Sequence, residues 1–233
     1  MRRFACVALF AAALGWAATA SAQTVDEVLK NMAAKAETIK DLNVSAKVIK
    51  YDSVFEKKDE LRLELWYKKP ELTRVDTFKK QPTGAETQTQ LVIIGKDYVL
   101  RCKPETHTGE ITRIDAAKMK EARENRNDPM TFFERKPEEL KKDFDVQMLP
   151  STKPNTVKLV LKPKKADAME FKAVELVIDK TTWLPTSVRT MEGGEDDNWA
   201  LYEFTKVLIN TSFPDVVFAN PPGYVITDAP VKK

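Results

Sequence analysis

Few residues in this chain have side chains that could do chemistry, and they do not converge. His107, the one histidine, stands in the loop PETHTGE beside a turn, with no second histidine or cysteine cluster to make a metal site. No serine stands in a G-x-S-x-G setting, so His107 lacks the positioned partner that general-base catalysis requires. Cys102 alternates with Tyr98 and Leu100, the pattern of a buried structural thiol. The run Glu192, Glu195, Asp196, Asp197 could attract a hard cation but lacks the spacing of a calcium loop, and it reads as a solvated turn. Lys57-Lys58, Lys79-Lys80 and Lys164-Lys165 flank strand-like segments as edge or turn charges. Aromatic residues do not interleave with them as a nucleic-acid stacking platform would. No P-loop or dinucleotide turn is present. We therefore expect no enzyme activity, no catalytic residue, no metal and no cofactor.

One further cluster asks a different question. In LRLELWYKKPELTRVD, Leu61 to Asp76, an alternating apolar and polar pattern runs into Lys68, Lys69 and Pro70 and then resumes. Such a hairpin covers something with its apolar face and sets two cations at its corner.

The elements around it follow from period and punctuation. TVDEVLKNMAAKAETIKDL reads as an amphipathic helix, with Thr24 and Glu27 forming a capping box and Val25, Val28, Leu29, Met32, Ala36 and Ile39 forming one apolar stripe. From Leu42 the period becomes two. Leu61, Leu63, Leu65 and Tyr67 share one face, and Arg62, Glu64, Trp66 and Lys68 share the other. Thr73, Val75 and Thr77 continue after Pro70; Gln88 to Ile94 is more fully apolar; Tyr98 to Cys102 and Ile111 to Ile114 follow turns. Residues 115–144 read as a helical insertion across the sheet, with Asp128-Pro129 and Lys136-Pro137-Glu138-Glu139 as helix starts and Met130, Phe132, Phe133, Leu140 and Phe144 as anchors. Strand pattern returns at Val157–Leu161, Val174–Ile178 and Thr186–Thr190. Ala200, Tyr202, Phe204, Lys206 and Leu208 then share one face of a last long strand. The tail PDVVFANPPGYVITDAP should lie extended along an edge. The fold class is α+β, mainly antiparallel β, in one domain over 23–233.

The ends set the compartment. Arg2-Arg3, the apolar run Phe4 to Ala18 and Ala20-Ser21-Ala22 make a secretory signal peptide over 1–22, with Sec and Tat export both open. Cleavage leaves Cys102 as the sole cysteine, so the mature chain folds without an internal disulfide. It also leaves 38 Lys+Arg less two arginines against 35 Asp+Glu, a near-neutral balance that favours neither nucleic acid nor an anionic membrane. Periodicity alone leaves open whether the apolar face of the sheet is a packed core or the wall of a cavity.

The order of features carries a resemblance: a capped helix after a signal peptide, a strand ending LWYKKP, then VIIGKDYVL, a charged helical section, LVLKPK, AVELVID and FANPPGYVITD. This resembles the LolA-like periplasmic carriers of outer-membrane lipoproteins, the lipoprotein-sorting proteins, over essentially the whole mature chain. The resemblance implies an unclosed curved β-barrel, a half-barrel, covered by helices over a hydrophobic cavity. It also implies that lipoprotein or lipid acyl chains are carried through the periplasm by a monomer, between an inner-membrane release complex and an outer-membrane acceptor protein. The same scaffold serves an envelope sensor that binds lipid or a protein partner without ferrying cargo, and this is the alternative reading. In the family's W-x-K-R-P motif the basic residue before proline holds the lid by hydrogen bonds. Trp66 to Pro70 matches it, placing Lys69 in the lid-closing position with a point charge instead of a planar fork. Thr73 and Val75 stand where the family shows cavity aromatics. By the same resemblance Val28, Met32, Ile39, Leu63, Leu65, Tyr67 and Val75 line the lipid-binding cavity.

Overall fold

The computed structural model describes residues 23–115, 136–165, 171–194 and 197–229. The expected signal peptide, most of the helical insertion (Asp128, Pro129, Met130, Phe132 and Phe133 included), and Glu195 and Asp196 lie outside the described residues.

Helix α1 (Val25–Thr38) starts where its cap predicts. The Thr24 hydroxyl accepts from the Glu27 amide at 3.2 Å, and the Glu27 carboxylate accepts from the Thr24 amide at 2.9 Å. Eleven strands then pair antiparallel: β1 (Asp41–Asp52), β2 (Lys57–Lys68), β3 (Leu72–Lys80), β4 (Glu86–Ile94), β5 (Tyr98–Lys103), β6 (Thr108–Arg113), β7 (Phe144–Leu149), β8 (Thr156–Pro163), β9 (Ala173–Asp179), β10 (Pro185–Met191) and β11 (Trp199–Ile209). A short helix α2 (Pro137–Asp143) precedes β7, and β12 (Val225–Asp228) adds in parallel to β6. The spatial order β12-β6-β5-β4-β3-β2-β1-β11-β10-β9-β8-β7 makes one unclosed, curved sheet, with the β1–β2 hairpin at its middle. Of the tail expected to lie extended along an edge, only Val225–Asp228 does so; Asp215–Phe218 coils into a 3₁₀ turn instead.

Two larger cores lie on opposite faces, and a small third cluster, Ile94 and Val99 with Val92 and Ile114, lies at one end of β4 and β5. On the inner face, which α1 covers, Val28, Leu29 and Met32 of the helix and Leu140 of α2 pack with Leu159, Leu161, Val174, Leu176, Ile178 and Val188. This fills the β7–β10 half. On the outer face of β4 and β5, Leu91, Ile93, Leu100 and Cys102 are buried by Phe213, Val217, Phe218, Tyr224 and Ile226 of the C-terminal segment. Gly109 lets that segment approach: a Cβ there would stand 2.6 Å from the Ile226 side chain. Of the apolar run in β4, Leu91 and Ile93 therefore face this cover, while Val92 and Ile94 turn to the opposite face and cluster with Val99 and Ile114.

Two expectations need correction. Phe144, read as the end of the helical insertion, opens β7 instead; Phe144, Val146 and Met148 alternate inward, a period hidden in the sequence by the helix start just before it. In β11, Ala200, Tyr202 and Phe204 face inward, but Lys206 and Leu208 do not. Ala46 pairs with Phe204 and Ser45 with Lys206, so Thr205 is an extra residue, its hydroxyl donating to the Ser45 carbonyl at 3.1 Å. Beyond this bulge the faces exchange: Val207 pairs with Val44 inward, and Leu208 is exposed.

Candidate functional site

Registry puts Val44, Ala46 and Val48 of β1 opposite Leu65, Leu63 and Leu61 of β2, and Leu65 and Leu63 opposite Val75 and Thr77 of β3. Every one of these side chains faces inward by the period-two rule. Because α1 and α2 pack over the other half of the sheet, this half keeps a hollow of 560 Å³. Val48, Leu61, Leu63, Val75 and Tyr202 supply its apolar wall, and Thr77, Gln90, Lys50, Arg101 and Lys103 its polar margin. A separate apolar recess of 30 Å³, lined by Ile39, Leu42, Val44, Phe204 and Val207 among others, lies by the C-terminal end of α1.

The cavity residues expected from the resemblance therefore divide. Leu63 and Val75 line the hollow, while Leu65 is buried beside them and Tyr67 is half-buried next along the same face. Ile39 lines the small recess. Val28 and Met32 are buried in the packed inner core of the other half.

Lys69 reaches the helix. Its Nζ donates to the Ala36 carbonyl at 2.9 Å, which also accepts from the Ile39 amide at 3.2 Å, on the last turn of α1, where the helix dipole favours a cation. Lys68, one residue earlier, turns to the other face and pairs with Asp215, at the start of the short 3₁₀ turn Asp215–Phe218 that covers the outer core. The two cations at the hairpin corner thus hold two different covers. Around them the chain is tied together by polar contacts. Asn210 accepts from the Lys40 amide at 2.7 Å and donates to the Thr38 carbonyl at 2.9 Å. The buried Asp41 carboxylate accepts from the Thr211 amide at 2.7 Å and the Ser212 amide at 3.2 Å. On the outer face Arg74 pairs with buried Asp76 at 2.8 Å and donates to the Val217 carbonyl at 3.0 Å.

The remaining reactive residues have structural places. Cys102 is 3% exposed in the outer core, and burial pushes its thiol above the usual range. His107 is an exposed turn residue whose ring stands 5.4 Å from that of Tyr224. Asp197 accepts from the Gly194 amide within the β10–β11 turn. The Lys79 ammonium, followed by Lys57, holds the Asp59 carboxyl below the usual carboxylate range. Among the described residues, no group of three or more His, Cys, Asp or Glu could hold a metal.

The sequence reading missed the outer core and its clamps. Its signal was present: the end of β4, Leu91–Ile94, is apolar on both faces, which a strand with one solvated face is not, and the segment after β11 carries Phe213, Val217, Phe218, Tyr224 and Ile226.

Residues 52–220 match the family described as outer membrane lipoprotein carrier protein LolA. The chain belongs to the LolA family. Members of this family are periplasmic carrier or binding proteins and not enzymes, and no described helix is long and apolar enough to cross a membrane. A comparison with curated proteins gives no match. Among solved structures, an uncharacterized conserved protein from Thermus thermophilus is similar over 89% of this chain and 100% of its own, at 14% identity and a TM-score of 0.54. MucB is similar over 86% of this chain and 64% of its own, at 14% identity and a TM-score of 0.46. A LolA superfamily protein from Nitrosomonas europaea is similar over 85% and 99%, at 11% identity and a TM-score of 0.41. The likeness to the Thermus thermophilus protein, at 14% identity, concerns the fold alone.

Proposed function

We propose that this LolA-family chain is a periplasmic carrier that shelters acyl chains of lipoproteins or lipids and delivers them toward the outer membrane. The observation that carries the reading is the 560 Å³ hollow walled by Val48, Leu61, Leu63 and Val75, within the ~300–1,000 Å³ range of small-molecule sites. Each methylene placed there is worth about 0.8 kcal/mol, so a long chain gains on the order of 10 kcal/mol before ordering costs reduce it to a reversible affinity. Leu63, Leu65, Tyr67 and Val75 form the cargo-facing surface, with Val28, Met32 and Ile39 the helix side that shifts when α1 moves. Lys69 holds α1 closed through Ala36 in the empty state and lets go as cargo enters.

In this reading residues 1–22 are removed on export. Residues 23–233, with the insertion ending at Asp143 before β7, act as one domain and a monomer. An inner-membrane release complex loads it and an outer-membrane acceptor protein unloads it. Mass spectrometry of material extracted from the protein purified under native conditions tests the proposal. Bound acylated protein or lipid supports it, and acylated protein identifies lipoprotein cargo. A reproducible protein partner with no lipid assigns the chain to the sensor reading and removes the carrier one.

A further inference from the structure

The hollow is not walled by hydrocarbon alone. Lys50 of β1 and Arg101 and Lys103 of β5 line its margin from opposite sides, across β2, β3 and β4. All three are exposed, and none forms an ion pair with a described residue. The nearby acids do not cancel them. Asp59 is held by Lys57 and Lys79 at 3.4 Å each, Asp52 accepts from the Val54 and Phe55 amides at the hairpin tip, and Glu110 pairs in register with Arg101 without closing a salt bridge. This end of the inner face is electropositive although the whole chain is near neutral. The contrast is local: on the outer face of the same hairpin, Lys47 pairs with Glu60, and Arg62 pairs with Glu64 and Glu86.

We infer that the hollow selects an amphiphile with an anionic head, its acyl chain on the Val48–Leu61–Leu63–Val75 wall and its carboxylate or phosphate on Lys50, Arg101 and Lys103. This rests on the carrier reading and narrows its cargo. Charge without a partner beside an apolar wall is costly for a neutral ligand to cover and favourable for an anion to meet. Strand register fixes the cations and the apolar wall on one face, so head and tail are read by one rigid surface.

The test uses chain 23–233, stripped of lipid, and four probes of equal chain length below their micelle concentrations. They are palmitate, palmitoyl-lysophosphatidylglycerol, palmitoyl-lysophosphatidylcholine and monopalmitoylglycerol, measured by titration calorimetry at low and high salt. The anionic probes should bind roughly tenfold tighter than the neutral and zwitterionic ones, and salt should erode the difference, as expected for a few partly exposed charge contacts. Whether palmitate or the phosphate ester binds tighter names the head group. The triple variant Lys50→Ala, Arg101→Ala, Lys103→Ala, its fold checked by circular dichroism, should bring the anionic affinities down to the neutral level and leave monopalmitoylglycerol unchanged. The single charge reversal Arg101→Glu should act in the same direction. Equal affinity for all four probes in the native chain, or a triple variant without effect, overturns the inference while the carrier reading stands. No binding of any probe removes the carrier reading itself.

Discussion

The two halves of this sheet solve the burial problem on opposite faces. In the β7–β10 half, the inner face is packed by α1 and α2, and Leu159, Leu161, Leu176 and Ile178 have essentially no exposure. In the β3–β6 half, the tightly buried residues are Leu91, Ile93 and Leu100, beneath the C-terminal segment on the outer face. A strand needs a core on at least one face to hold its place. Moving most of that core outward leaves the part of the inner face around Leu61, Leu63 and Val75 unfilled, while Leu65, Ile94 and Val99 on the same face stay buried. An open apolar hollow in a stable protein then requires no special material, only a second cover.

The comparison breaks first in stability measurements. Phe218→Ala, in the outer cover, should cost about 3–5 kcal/mol, and Leu176→Ala, in the inner core, about 2–5 kcal/mol, in denaturant unfolding. Leu63→Ala, at the hollow, should cost below about 1.5 kcal/mol, because its side chain already borders open space. A Leu63→Ala cost equal to that of Leu176→Ala would mean the hollow is packed in solution.

Thiol chemistry sharpens the contrast. In chain 23–233, Cys102 is the sole cysteine and lies in the outer core. Its labelling by a thiol reagent at neutral pH should be on the order of a hundredfold slower than that of a cysteine placed in the hollow by Leu63→Cys in a Cys102→Ala background. The sign of the pH effect follows from burial, which raises the folded thiol above its unfolded value. The stability it contributes is complete below the unfolded pKa and is lost as pH rises through the folded one, so alkaline pH should speed Cys102 labelling and lower the unfolding midpoint. Fast labelling at neutral pH would show the outer cover to be loose.

Much of this was legible in the sequence where one period ran unbroken. The Thr24–Glu27 cap, the Leu61–Leu63–Leu65–Tyr67 face and the Lys69–Pro70 corner all appear where local pattern places them, because each depends on neighbours within one or two turns of chain. What failed depended on a single inserted residue or a distant partner. Thr205 reverses the facing of everything after it, and no propensity marks it. Phe144 sits where a helical cue and an alternating cue overlap. The hollow itself was undecidable, since filled and empty interiors demand the same apolar alternation; only the placement of α1 over β7–β10, and of the tail on the outer face, separates them.

The smallest expected effects test the corner where the two halves meet. Lys68 and Lys69 are adjacent in sequence and therefore project to opposite faces, one to Asp215 of the outer cover and one to the Ala36 carbonyl of the inner helix. Both contacts are solvated, so each alanine substitution should change global stability by less than about 1 kcal/mol. Their local consequences should not overlap. Lys69→Ala should speed amide exchange in the last turn of α1 and slow release of a bound acyl probe in stopped flow, because the closed empty state loses its tie, with Lys69→Arg restoring both. Lys68→Ala should speed exchange over Asp215–Phe218 and leave release unchanged, because no residue of that turn lines the hollow. If Lys68→Ala altered release as strongly as Lys69→Ala, the two covers would be coupled through the β2–β3 corner. The outer core would then be a moving part of the carrier, and the division of labour between the faces would fail. If neither changed release, α1 would not gate the hollow, and entry would have to occur at the margin where Lys50, Arg101 and Lys103 stand.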